Sequence, residues 1–264
     1  MVFKETLRDV TYKVAPRRIL DGYHYLKTVH HARRLSALRD SGGDPQIWLD
    51  ALWSSHFFRP LQKRTEILGL VEVLRQLKPS TICEIGAAGG GTTFLLAHAC
   101  PSDAVIVTVD LIFSERRKAA LKQFAVAEQK IFCLQKDSHQ VETVTAISEC
   151  LPDGKLDVLY LDGDHSYAGI KADFELFSPL VKPGGIIVFH DIVPDFKTRH
   201  GVETTSYTGG VPQFWQELKA SHERVEELVE DAAQDGYGIG ILHWKSGTGV
   251  PPVNHAQDAR ATQN

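Results

Sequence analysis

The chain has 264 residues, of which 43% are apolar, 23% charged and 9% aromatic, with a net charge of −4 at pH 7. That is the make-up of an ordinary globular protein, and it excludes collagen-like, disulfide-scaffold and largely disordered classes. No global basic excess points to nucleic acid.

The charge is uneven. Residues 1–40 carry nine Lys/Arg against four Asp/Glu, which leaves the remainder near −9. The plain reading of this bias is a solvated helical face; a lid over an acidic substrate is the sharper one. The opening MVFKETLRDVTYK lacks the apolar stretch of a signal peptide, and no apolar run is long enough for a membrane span. Cys83, Cys100, Cys133 and Cys150 form no C-x-x-C pair, so a structural zinc site is not expected. A reduced, cytoplasmic setting is the expectation.

Residues 1–60 read as an N-terminal helical extension, broken at Ser41–Pro45 and helical around Gln46–Phe57, where Trp48, Leu49, Leu52 and Trp53 share a face. Residues 61–245 read as the main domain. A helix over 62–77 places Ile67, Leu70, Val71, Leu74 and Leu77 on one stripe and stops at Lys78-Pro79. Apolar runs then follow at Thr81–Ile85, Ala104–Val109, Lys130–Leu134, Leu156–Leu161 and Gly185–Phe189. Helical patterns alternate with them at Thr92–Cys100, Ser114–Glu128, His139–Cys150 and Tyr167–Val181. Such alternation predicts an α/β, doubly wound (Rossmann-like) and mostly parallel sheet. Phe196–Gly210 reads as a polar loop, and Val211–Lys219 as a short helix. His222–Val229 and Gly238–Trp244 read as a C-terminal antiparallel hairpin, the first of them equally suited to a helix. Residues 246–264 read as a disordered tail.

In doubly wound sheets, ligands bind beyond the carboxyl ends of the strands. The first strand ends in Glu84-Ile85-Gly86-Ala87-Ala88-Gly89-Gly90-Gly91, a glycine-rich turn that lets a ligand approach the backbone. Ala88 stands where a nicotinamide fingerprint needs glycine, and Glu84 would repel a pyrophosphate but suits a cationic ligand. The second strand ends in Asp110, suited to two ribose hydroxyls. After the third come Asp137 and Ser138, either adenine contacts or caps of the next helix. The fourth ends in Asp162-Gly163-Asp164-His165-Ser166, and the fifth in His190-Asp191. Acids on neighbouring strands can share a divalent cation such as Mg²⁺, and His190 would bias the site toward a softer metal. The bland alternative has Asp164 or Ser166 capping the next helix and His190 packed in the interior.

Across residues 62–244 the chain resembles the class I S-adenosylmethionine-dependent methyltransferases. EIGAAGGGTT matches their first motif. LDGDHSYAGIKADFELFSPLVKPGGIIVFHDI resembles the subfamily of macrolide-sugar O-methyltransferases and cephalosporin-hydroxylase-like proteins. The resemblance implies a seven-stranded sheet with Glu84, Gly86, Ala87, Gly90, Asp110, Asp137, Ser138 and Asp162 at the cofactor. It implies His165 as general base with Asp162, and Asp162, His190 and Asp191 about a metal. Where that subfamily has two acids on the fifth strand, this chain has His190-Asp191. The expected activity is O-methylation of a hydroxylated small molecule, sugar or natural product, with S-adenosylmethionine and a divalent cation as cofactors. The reading leaves open a homo-oligomer, an accessory cofactor-binding protein of a hydroxylase system, and, less favoured, an NAD-dependent oxidoreductase.

Overall fold

The structure, a computed structural model, describes residues 17–38 and 43–245. The expectations for residues 1–16 and for the tail 246–264 lie outside the described residues. Three helices come first: α1 (Arg17–Ser36), α2 (Pro45–Trp53) and α3 (Arg64–Leu77). Asp44 caps α2 by accepting from the Gln46 amide, and Pro45 takes the first helical position, where a missing N–H costs nothing.

The alternating part runs β1 (Thr81–Ile85), α4 (Gly91–Ala99), β2 (Val105–Asp110), α5 (Glu115–Leu121), β3 (Lys130–Gln135), α6 (Val141–Cys150), β4 (Leu156–Leu161), α7 (Tyr167–Phe177) and β5 (Val181–His190). It continues with α8 (Phe196–His200), α9 (Val211–Ser221), β6 (Val225–Leu228) and β7 (Ile239–His243). The seven strands stand in the order β3-β2-β1-β4-β5-β7-β6. The first five are parallel, and β7 is antiparallel to both β5 and β6. The strand order reverses between β1 and β4, which puts the ligand crevice at the carboxyl ends of those two strands.

Two apolar layers cover the sheet. One face packs against α1–α5 through Leu49, Leu52, Ile67, Leu74, Phe94 and Phe124. The other packs against α6, α7 and α9 through Ile147, Phe174, Phe177 and Trp215. Ala32, Trp48, Leu49 and Phe58 thus belong to the same core as β1 and β2.

Several elements differ from the sequence reading. The helix predicted over 114–128 ends at Leu121 and tightens into a 3₁₀ turn over Lys122–Phe124. The fifth strand begins four residues early, at Val181, with a register shift against β4 absorbing Lys182-Pro183-Gly184. The polar loop after residue 195 contains the helical turn α8, capped by Asp195. Residues 222–229 form strand β6 only over Val225–Leu228, which resolves the helix-or-strand ambiguity in favour of the hairpin. Cys133 is only half-buried because β3 is an edge strand.

Candidate functional site

Gly86 ends the first strand at φ +91, where a Cβ would lie 2.0 Å from the Asp162 carbonyl. Only glycine lets the ends of β1 and β4 approach this closely, so this residue opens the crevice. Beneath the loop, Glu84 is fully buried. Its Oε2 accepts from the Thr93 hydroxyl at 2.5 Å and the Thr108 hydroxyl at 2.7 Å, while Oε1 has no partner. Burial pushes its carboxyl up to about 7, against the lowering pull of the two threonines. Glu84 therefore lies under the glycine loop and does not line its open face.

Asp110 ties that loop to the end of β2. Its Oδ2 accepts from the Ala88 amide and its Oδ1 from the Ile112 amide, each at 2.9 Å. A carboxylate has about four lone-pair sites, so both oxygens keep capacity for further donors. On the next strand, Asp137 accepts from the His139 amide at 3.0 Å, which holds its carboxyl below the usual range. It does not cap α6, whose N-cap Gln140 makes no side-chain cap bond. Ser166, rather than Asp164, caps α7, and Asp164 closes a turn onto the Ser166 amide.

At the ends of β4 and β5 two carboxylates and two imidazoles meet. His190 Nδ1 lies 3.0 Å from Asp162 Oδ1 and 3.4 Å from Asp191 Oδ2. Burial works against the charged imidazole, but Asp162 and Asp191 prevail and raise it to about 10. Asp162 is pushed upward by burial and pulled down more strongly by His190 and His165, ending below its ordinary value. The second His190 nitrogen, Nε2, is buried without a partner. Asp191 sits at φ +61, a strained conformation for a non-glycine residue and a common mark of a working site.

His165 is the least buried member, and even it is half-buried. Its Nδ1 lies 3.0 Å from the Tyr207 carbonyl, and its Nε2 lies 3.3 Å from Asp162 Oδ1. Both neighbours can only accept, so the charged ring donates from Nδ1 to Tyr207 and from Nε2 to Asp162, and Nε2 gains a lone pair only when it gives up that proton. Burial lowers this imidazole and the Asp162 hydrogen bond raises it, with a net rise. Ligand atoms of Asp162, His165 and Asp191 lie within 4.8 Å of one another. Two carboxylates and one imidazole form a mixed oxygen–nitrogen donor set that suits a divalent cation. His190 stands behind that trio as its buried counter-charge.

Residues 83–192, β1 through the end of β5, match a family described as a methyltransferase domain. Over that stretch the chain is similar to methyltransferase domains. The fold is that of the O-methyltransferase from Bacillus cereus in complex with SAH (TM-score 0.51, 17% identity, 90% of this chain and 96% of that one). It is also that of the O-methyltransferase TomG from Streptomyces achromogenes, involved in tomaymycin synthesis and solved with SAM (TM-score 0.50, 19% identity, 81% and 90%). Two curated relatives match part of it. The uncharacterized protein y4gI of Sinorhizobium fredii is 30% identical over 103 residues, 39% of this chain. The uncharacterized protein R132 of Acanthamoeba polyphaga mimivirus is 31% identical over 114 residues, 42% of this chain. The matched stretches span 10% and 51% of those proteins' lengths.

The region around the site holds residues that sequence reasoning did not single out. Gln62, just before α3, donates from Nε2 to Asp162 Oδ2 at 2.9 Å and to the Tyr160 hydroxyl at 3.2 Å, and accepts from the Thr92 hydroxyl. It joins the glycine loop's helix to the acid of β4, and nothing in its local sequence announces that. Tyr207 acts through a backbone carbonyl, which no side-chain pattern reveals. Asp173 was detectable, because an acid at position 173 shares a helical face with Ile170, Phe174 and Phe177. Its carboxylate is wholly buried, 3.6 Å from His139 Nε2, and burial raises it to about 6.

Proposed function

We propose that this chain is an S-adenosylmethionine-dependent O-methyltransferase acting on a hydroxylated small molecule, a sugar or a natural product, with a divalent cation assisting. The observation that carries the reading is His165. At the crevice between β1 and β4 its Nδ1 rests on the Tyr207 carbonyl and its Nε2 on Asp162, and the ring that has lost the Nε2 proton is the base. A methyl group leaving a sulfonium needs no acid on the donor side; the acceptor hydroxyl must lose a proton and be held in line. His165 Nε2 receives that proton as the new C–O bond forms. The match to a methyltransferase family and the O-methyltransferase activity of the two structural neighbours support the assignment.

The cofactor residues take these roles. Gly86, Ala87 and Gly90 leave room for the methionine portion, Asp110 offers both carboxylate oxygens to the ribose, and Asp137 and Ser138 face the adenine. Glu84 supports the loop from below. Asp162 and Asp191 would hold a divalent cation such as Mg²⁺, which lowers the pKa of a hydroxyl bound to it, with His165 kept as the base. The acceptor is a small molecule and not a nucleic acid, and the setting is cytoplasmic.

The test is methyl transfer from labelled S-adenosylmethionine to a panel of hydroxylated sugars, with Mg²⁺ and with EDTA, alongside thermal shifts with S-adenosylhomocysteine and NADH. Transfer that EDTA abolishes and Mg²⁺ restores supports the full reading. Transfer indifferent to EDTA removes the cation. Stabilisation by NADH but not by S-adenosylhomocysteine overturns the assignment.

A further inference from the structure

We propose that the α1 face bearing Lys27, His30 and Arg34 docks a phosphate or pyrophosphate group of the methyl acceptor, making the substrate a phosphorylated hydroxy compound. This deepens the O-methyltransferase reading and rests on it.

Lys27, His30, His31 and Arg34 follow i, i+3, i+4, i+7 spacing, which places all four on one side of α1. Lys27, His30 and Arg34 are exposed. Lys27 and Arg34, the two full charges of the row, stand two turns apart on that side. Elsewhere the fold pairs its lysines with acids: Lys63 with Glu230, Lys182 with Asp153 and Asp157, and Lys219 with Glu227. Among the described residues, neither Lys27 nor Arg34 has a carboxylate within 4.0 Å. Two unpaired cations on one face of an otherwise acidic chain leave room for an anion from outside.

The location ties this face to the site. The Lys27 ammonium lies 6.0 Å from the Phe57 ring, and the His31 ring stacks on Phe58 at 5.9 Å. The Phe57 carbonyl backs Gly89 and the Phe58 carbonyl backs Gly91, so Lys27 and His31 lie beside the segment that abuts the glycine loop. The exposed His56 extends the row along the same lip. From Phe57 the chain reaches Gln62, which holds Asp162. Five residues span at most about 17 Å, so an anion on the lip and a hydroxyl at His165 fall within reach of one extended molecule. Arg and Lys together suit a phosphoryl group, the first through paired N–H donors and the second as a point charge.

The test is calorimetry on the full chain with three probes, inorganic pyrophosphate, a nucleoside diphosphate hexose and glucuronate, and separately with S-adenosylhomocysteine. Both phosphoryl probes should bind, more weakly as salt rises. The exposed double substitution Lys27→Ala/Arg34→Ala should weaken them about tenfold or more and leave S-adenosylhomocysteine affinity unchanged. Binding of pyrophosphate alone makes the docked group a free phosphate, and binding of the hexose conjugate makes it part of an acceptor. Glucuronate bound while pyrophosphate is ignored overturns the proposal. So does a double variant that loses S-adenosylhomocysteine instead, because the cations would then serve the cofactor's carboxylate. Wild-type protein that binds the phosphoryl probes but not S-adenosylhomocysteine leaves the docking face standing and fails the O-methyltransferase reading.

Discussion

His165 is pinned at both ring nitrogens, by the Tyr207 carbonyl and by Asp162, and it must release a proton before it can act as a base. Replacing His165 with Ala should lower kcat by roughly 10²–10⁴-fold, read in the labelled-cofactor assay, with S-adenosylhomocysteine affinity retained. Asp162 raises the His165 imidazole above its usual 6.5, so the basic form is populated only at higher pH. The pH–rate profile should therefore climb through a midpoint above 6.5; a midpoint below it would remove His165 from the proton transfer. Glu84 gives a second titration, with the opposite structural meaning. Its folded value, near 7, exceeds the ordinary 4.5, so the folded state holds a proton that the unfolded chain has released. Stability from this group falls as pH rises from about 4.5 to 7 and then levels off. A Glu84→Gln variant lacks that slope, and its melting temperature should gain on wild type across this window.

At the scale of elements, the site is a meeting of strand ends with two supporting segments. The segment leading into α9 clamps the turn that carries His165. Gly209 sits at φ +56, where a Cβ would lie 2.1 Å from the His165 carbonyl, and the Gly210 amide donates to that same oxygen at 2.7 Å. Gly209→Ala should displace the turn and depress kcat while leaving S-adenosylhomocysteine binding intact, a split that kinetics and calorimetry resolve. The end of β5 supplies the counter-charge. His190→Ala strands Asp162 and Asp191 side by side, and breaking such a buried pair costs about 3–5 kcal/mol. Urea titration should show that loss, with divalent cation restoring part of it. Strand ends and glycine turns were legible in the sequence because each leaves a local mark: an apolar run, then an acid or a glycine. Gln62 and the Tyr207 carbonyl were not, because their roles come from approach across 100 and 42 residues of chain. Of the caps the sequence offered, Ser166 does cap α7 while neither Asp137 nor Ser138 caps α6, whose N-cap is Gln140, because such residues compete within single turns and only backbone geometry chooses among them.

At the scale of the whole molecule, the doubly wound, mostly parallel sheet followed from the alternation of strands and helices, though the order of its strands did not. Neither did the place of the N-terminal segment. α1 and α2 contribute Ala32, Trp48, Leu49 and Leu52 to the layer that covers β1 and β2. Leu49→Ala should cost about 2–5 kcal/mol and lower the midpoint of one cooperative transition. An early separate transition would show instead that residues before α3 melt as an independent unit. The basic bias of this segment was visible from charge counting, but its position beside Gly89 and Gly91 needed the fold.

The order of strands also dictates when the protein can become complete. β7 is the final strand in sequence, yet it stands inside the sheet between β5 and β6. Until Ile239–His243 leaves the ribosome, the nascent chain presents β5 as a bare edge beside Trp215, an open template for pairing with a neighbour. The Asp191 end of β5 is thus among the last parts of the crevice to be walled in, and a translation pause shortly before residue 239 would hold the polypeptide in its most aggregation-prone form.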